Sequence, residues 1–223
     1  MIKSRTTQII YQSIYIGVAI IAVFASLGLF DMAYRWDFYV HFTNLSNYLC
    51  VCLMFLELRD TAKKSLDSFV TTFPMLKFVA LLGILLTFII YNFVLAPRRD
   101  IKDSFGVSSI TLHIILPLMF TFDYILFYEH GRIKWNYPIV SSLFPLLYAT
   151  FIYIHAAIYK FDSSIYYPGR KDPFIYPYFF LNLDTLGVEG VMKYILIILF
   201  VFVAFGYVIF LIDRLFSCNK RFV

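Results

Sequence analysis

The run from Ile9 to Phe30, IIYQSIYIGVAIIAVFASLGLF, is 22 residues long and contains no Lys, Arg, Asp or Glu. A helix rises about 1.5 Å per residue, so such a run reaches the roughly 30 Å needed to cross the hydrocarbon of a bilayer. Lys3 and Arg5 precede it, as they would in a secretory signal, but the apolar core of a signal has only about 7–15 residues. The run therefore reads as a retained first membrane span. Further along the chain the same test, apolar stretches bounded by charge and turn residues, marks five more spans at about 39–58, 74–96, 109–128, 138–159 and 191–212. Lipid offers no partner to a free backbone N–H or C=O, so each span is expected to be a helix. The predicted fold is all-α: a single membrane domain over 1–223, an integral bundle of six transmembrane helices.

Composition points the same way. Of the 223 residues, 61% are hydrophobic and 15% charged, and the mean hydropathy is +0.77, whereas soluble domains are about 45–50% apolar. A separate soluble domain finds no room between spans of about 20 residues each. The net charge of +5 arises from 19 Lys and Arg against 14 Asp and Glu. The basic residues sit between apolar runs, which speaks of topology and anionic headgroups rather than nucleic acid. Cys50 and Cys52 lie two apart in one apolar run, about 200° from each other on a helix, so they form neither a disulfide nor a metal pair. With Cys218 they read as buried thiols.

An even number of spans puts both termini on one side. That side collects Lys3, Arg5, Arg59, Lys63, Lys64, Arg132, Lys134, Arg214, Lys220 and Arg221. The other collects Arg35, Arg98, Arg99, Lys102, Lys160, Arg170 and Lys171. The excess favours a multi-pass protein of the cell membrane with both termini cytoplasmic.

Polar residues at membrane depth cost free energy, so their positions are informative. The second span opens with His41-Phe42-Thr43-Asn44-Leu45-Ser46-Asn47 at its outer end, Asn92 closes the third on that side, and His113 and His155 lie about one turn inside the fourth and fifth. Thr, Asn and His from several helix ends thus converge on one level, the outline of a polar pocket facing outward. Each also has a plainer reading. Thr43 or Asn44 would cap a helix, His155 would bond a neighbour at the interface, His41 would touch headgroups, and His130 would belong to a loop. Asp123 lies deeper, and a carboxyl there must pair, stay protonated or line a cavity. The connection from Lys160 to Gly190, with Tyr166, Tyr167, Phe174, Tyr176, Tyr178, Phe179 and Phe180 among Pro168, Pro173 and Pro177, suits either an interfacial aromatic belt or a lid over that pocket.

A hydroxyl is a weak nucleophile until an adjacent base takes its proton. Thr43 and His113, on different helices at one depth, are the minimum apparatus for acyl transfer. Near a helix start, free N–H groups and the carboxamides of Asn44 and Asn47 would steady an oxyanion, with Asn92, His155, Asp123 and Tyr176 completing the pocket. The bond cleaved would be an ester in a membrane lipid or fatty acyl ester. No metal or other cofactor is implied, because no His, Cys, Asp and Glu set has ligand spacing and no glycine-rich phosphate loop occurs.

Three segments read together add a resemblance: Phe42-Thr43-Asn44-Leu45-Ser46-Asn47; His113-Ile114-Ile115-Leu116-Pro117 leading to Phe122-Asp123-Tyr124-Ile125-Leu126-Phe127; and Ile175-Tyr176-Pro177-Tyr178-Phe179. Over nearly the whole chain, in order and spacing, the sequence resembles the six-span androgen-induced and androgen-dependent (TFPI-regulating) protein family, and more closely its bacterial relatives. The resemblance implies an intramembrane hydrolase of fatty acids esterified to hydroxy fatty acids, with Thr43 as nucleophile and His113 as base. The chain departs from the animal pattern in the Asn-rich context of Thr43, and in a histidine about one residue nearer its proline. The substrate is then expected to be such an ester or a related acyl lipid. The rival expectations are a transporter or lipid-binding protein using His113, Asp123 and His155 without catalysis, and a structural subunit whose pocket is filled and dry.

Overall fold

A computed structural model describes residues 4–30, 32, 34–63, 73–98, 106–161 and 175–218; the side chains of Trp36, Asp37, Arg98 and Cys218 are outside that description. Among the described residues the chain is helical, with no strand. The helices are α1 (Arg5–Ser26), α2 (Phe42–Lys63), α3 (Pro74–Leu95), α4 (Val107–Phe127), α5 (Tyr137–Phe161) and α6 (Leu183–Cys218). Short 3₁₀ turns at Trp36–Val40 and Phe179–Leu181 lead into α2 and α6.

Five of these helices, α1 and α3 to α6, are long and apolar enough to cross a membrane. The exception is α2. It has the length, 22 residues, but carries Thr43, Asn44, Ser46, Asn47 and Glu57 on its buried face. Those residues, with Cys50, Leu53 and Met54, recur every three or four positions, so one stripe of the helix faces its neighbours. The six-span expectation is thus met at the level of an all-helical membrane protein with five such helices.

Boundaries differ from the sequence reading for local reasons. α1 starts at Arg5, four residues before the apolar run, because the Ser4 hydroxyl accepts from the Thr7 amide (3.3 Å) and caps it. It stops at Ser26 rather than Phe30, where Gly28 takes φ +74° and the Leu29 amide reaches back to the Phe24 carbonyl (3.1 Å). That is the glycine-closed end of a helix in which a side chain at the turn would be strained. α2 begins at Phe42 instead of 39 because Trp36–Val40 coils more tightly before it. α6 extends both ends of the predicted 191–212, with Gly187 (φ +66°) breaking its first turn.

The core is built where α1, α2, α3 and α4 meet, around Tyr15, Leu53, Met54, Phe78, Leu81, Leu116 and Phe120. α5 and α6 pack against the opposite flank of α3. Outward faces carry Ile10, Ile14, Phe24, Phe122, Leu147, Leu196 and Phe200, all exposed and apolar, as a surface next to hydrocarbon requires. Close helix approach depends on small residues. At Gly206 a β-carbon would lie 3.0 Å from Pro138 Cβ and 3.3 Å from Pro138 Cα, whereas at Gly17 it would meet nothing within 4 Å. Replacing Gly206 by Val is therefore expected to destabilise the bundle by about 1–3 kcal/mol through overpacking. Thermal unfolding in detergent should show a lowered midpoint for Gly206→Val and one near wild type for Gly17→Val.

Candidate functional site

The residues singled out from sequence divide between the two ends of the bundle. At the end where α2 begins, the His41 carbonyl accepts from the amides of Asn44 (3.0 Å) and Leu45 (3.2 Å), and the helix proceeds without a side-chain cap from Thr43 or Asn44. The Asn44 Nδ2 instead donates to the Phe38 carbonyl at 2.6 Å, holding the 3₁₀ turn against the helix. Asn47 Nδ2 donates to the Thr43 carbonyl (2.8 Å) and across to the Leu112 carbonyl of α4 (3.1 Å), while its Oδ1 is buried without a partner. Ser46 Oγ pairs with Thr87 Oγ1 of α3 at 2.8 Å. The Asn and Ser side chains of this segment thus bind backbone and neighbouring helices. Asn47, expected to steady an oxyanion, has both of its N–H groups on carbonyls. Asn44 commits one of its two.

Thr43 is different. It is 8% exposed, and its hydroxyl makes no hydrogen bond among the described residues. It lies on the wall of a cleft between α2, α3, α5 and α6 that holds about 620 Å³ of space counted to its open mouth. Phe42, Leu86, Ile90, Pro145, Ala149, Phe180, Leu181, Ile195, Ile198 and Leu199 make most of that wall, and Thr43, Thr87, Tyr91, Tyr148 and Tyr178 are its polar members. A mostly apolar cleft with a few hydroxyls at fixed places suits a ligand that is largely hydrocarbon. Tyr148 is held by a hydrogen bond from its hydroxyl to the Val40 carbonyl (2.8 Å), and Tyr178 stacks on Phe180 (5.1 Å between centroids).

His113 sits beside this cleft rather than in its lining. Two π-helical turns, Tyr91–Leu95 in α3 and Thr111–Ile115 in α4, face each other and bring it there. Its imidazole stacks on Tyr91 with centroids 3.5 Å apart, and Asn92 Nδ2 donates to the His113 carbonyl at 3.4 Å. The Tyr91 hydroxyl is hydrogen-bonded to Ser109 Oγ. His113 Nδ1 is 2.8 Å from the Ser109 carbonyl, which can only accept, so Nδ1 carries the hydrogen. In the neutral ring the lone pair is then on Nε2. No hydrogen bond joins His113 to Thr43 among the described residues; Tyr91, which lines the cleft and stacks on the imidazole, is what they share. π-turns of this kind are frequent at functional sites and were not legible in the sequence.

The remaining candidates lie elsewhere. His155 is buried on α5 against Tyr39 (5.9 Å), Phe151 and Tyr159 (4.5 Å), away from the cleft lining. Tyr176 faces Tyr153 (6.3 Å) and the Lys160 ammonium (5.6 Å). His41 meets Tyr178 edge-on at 6.3 Å. Of the aromatic connection, Tyr166, Tyr167, Pro168, Pro173 and Phe174 fall outside the described residues.

Asp123 is at the opposite end of the bundle, so it does not join the pocket. Its Oδ2 is 2.6 Å from the Lys77 ammonium, which also reaches Glu57 Oε2 at 2.7 Å. Nearby, Asp213 of α6 accepts from the Tyr124 hydroxyl (2.9 Å), His130 Nδ1 (3.0 Å) and the Gly131 amide (2.8 Å). His130, expected in a loop, is therefore a buried tether between the α4–α5 turn and α6. Sequence reasoning missed Lys77, Glu57 and Asp213 because each lies within about two turns of a helix end, where charge reads as a boundary. A carboxylate and a lysine on the inward stripes of adjacent helices were the available signal.

Asn47 is the polar link from α2 to α4, and Asn47→Leu fills its volume while taking from the Leu112 carbonyl its donor on α2; the Thr43 carbonyl keeps the Ser46 hydroxyl (3.0 Å). A loss of roughly 0.5–2 kcal/mol is expected, read as a lowered unfolding midpoint in detergent, with Thr150→Ala, exposed on α5, unchanged. No protein family model, curated protein or solved structure matches the chain.

Proposed function

We propose that this protein is an intramembrane lipid-ester hydrolase in which Thr43 is the nucleophile, His113 the base, and the cleft holds the acyl chain of the substrate, a fatty acid ester of a hydroxy fatty acid or a related acyl lipid. The observation that carries the reading is Thr43, whose hydroxyl has no hydrogen-bonding partner among the described residues and which stands at the start of a helix, in the lining of an otherwise greasy cleft. The positive end of the α2 dipole and its first amides favour an oxyanion formed there. His113 supports the assignment through its anchored Nδ1, which leaves Nε2 as proton acceptor. Thr43 and His113 would act through one bridging water or close on the ester when it binds, as catalytic pairs commonly tighten only around substrate.

The proposal includes α2 as a sixth crossing, with both termini cytoplasmic. Arg5 at the start of α1 donates to the Thr61 carbonyl (2.7 Å) at the end of α2, so the two run antiparallel with equal length. Thr43 then lies in the outer half of the membrane, within reach of lipid. Of the basic residues behind that orientation, Lys3, Lys64, Arg99, Lys102, Arg170, Lys171, Lys220 and Arg221 are outside the described residues.

A second reading, an acyl-lipid-binding protein without catalysis, draws on the lack of a Thr43–His113 hydrogen bond. A transporter has no such observation behind it: the buried stripe of α2 between Asn47 and Glu57 is Cys50, Leu53 and Met54, none of them charged.

A hydroxyl-directed fluorophosphonate should label the wild type in detergent and leave Thr43→Ala unlabelled, with labelling of His113→Gln slower by about 10²–10⁴-fold. Equal labelling of wild type and Thr43→Ala removes the hydrolase. In that event retention of a fluorescent fatty acyl ester by the wild type, lost when Ala149→Trp fills the cleft, would support the binding reading.

A further inference from the structure

The charged cluster at the far end of the bundle is not used by the proposed chemistry. Glu57 of α2, Lys77 of α3 and Asp123 of α4 meet there with side chains 9%, 1% and 3% exposed. If all three are ionised, the cluster carries a net charge of −1 in surroundings of low polarity. Like charges sharing such a site do not both stay ionised; one carboxyl keeps a proton and the pair titrates as a unit.

The hydrogen bonds indicate which one. The Lys77 ammonium has three N–H groups. They are directed at Glu57 Oε2 (2.7 Å), Asp123 Oδ2 (2.6 Å) and the face of Phe120 (4.2 Å to the centroid). Asp123 Oδ1 has a further donor in Gln12 Nε2 at 3.4 Å. Glu57 Oε1 has no donor among the described residues, and Glu57 is the most exposed of the three. Two more polar groups lie here without a hydrogen-bond partner among the described residues, Gln12 Oε1 and the Tyr15 hydroxyl, both on residues 0% exposed.

We infer that Glu57, Lys77 and Asp123 form a proton-binding site, in which Glu57 holds one proton at neutral pH and exchanges it with water at the end of the bundle where α1 begins. The proton makes the cluster neutral. Among the described residues the groups that face it add no second cation: Tyr11 and Tyr15 from α1, Cys50 and Asp60 from α2, and Tyr128 after α4. A metal cation does not fit in its place, because hard cations take six or more oxygens and the centre of the cluster is filled by the ammonium.

The test is infrared spectroscopy of the full-length protein in lipid nanodiscs at pH 7, reading the C=O stretch of protonated carboxyl groups and its shift in D₂O. The wild type is expected to show an exchangeable protonated-carboxyl band that moves when only glutamate is ¹³C-labelled. Glu57→Gln and Asp123→Asn, each near-isosteric, should both lose it, since either leaves one carboxylate against one ammonium. Thermal unfolding of each variant confirms that the bundle is intact. A wild type without the band overturns the proposal, as does a band that survives in both variants or vanishes when sodium replaces a bulky organic cation. A shift with labelled aspartate instead of glutamate overturns the assignment to Glu57.

Discussion

A buried polar group is costly unless a partner inside the protein answers it, and that constraint, acting on the buried face of α2, organises the bundle. The helix presents one stripe, from Thr43 through Ser46, Asn47 and Cys50 to Glu57, and the neighbouring helices are arranged to answer it. α3 contributes Thr87 opposite Ser46 and Lys77 opposite Glu57. α4 contributes the Leu112 carbonyl to Asn47 and, through Lys77, Asp123 to the same cluster. The hydrophobic effect adds little between helices where lipid tails are as apolar as the side chains, which leaves close packing and interhelical hydrogen bonds. These polar contacts therefore set the order and register of the four helices.

One consequence is a division of labour along α2. At its first turn Asn44, Ser46 and Asn47 are committed to backbone and neighbours, and Thr43 remains with its hydroxyl on the cleft wall. At its last turns Glu57 joins Lys77 and Asp123, and the Asp213 cluster beside them ties α6 to the α4–α5 turn. Gly131 belongs to that tie: at φ +88°, with a β-carbon position 2.5 Å from Ser217 Oγ, it admits no side chain while its amide donates to Asp213. Between the ends lie Cys50, Leu53 and Met54, an apolar stretch that separates the two polar regions. The chemistry proposed at the cleft and the protonation inferred at the far end thus belong to separate parts of one helix.

The helices were legible because apolar runs bounded by charge have few alternatives in a chain this hydrophobic. Their ends were less so: the glycine closure at Gly28 and the tight turn before Phe42 depend on backbone conformations that hydropathy does not report. Thr43 stood out correctly as a polar residue at depth. The placement of its companions was not legible, because whether Asn47, His155 or Asp123 faces a cavity or a neighbour depends on helix rotation, and whether His113 approaches the cleft depends on two π-turns that leave no sequence mark. Lys77 was passed over since a lysine near a helix start ordinarily extends to the interface; two carboxylates on adjacent helices hold it inward instead.

The account as a whole requires α2 to cross the membrane among the other helices, which side-specific thiol labelling tests directly. In a background with Cys50, Cys52 and Cys218 replaced, single cysteines are introduced by Arg35→Cys before α2 and Lys63→Cys at its end, both exposed positions. A membrane-impermeant maleimide applied to intact cells should modify the first and reach the second only once the membrane is opened. Modification of both from the same side would show that α2 does not cross, and the cleft and the buried charge cluster would lose their places on opposite sides of the bilayer.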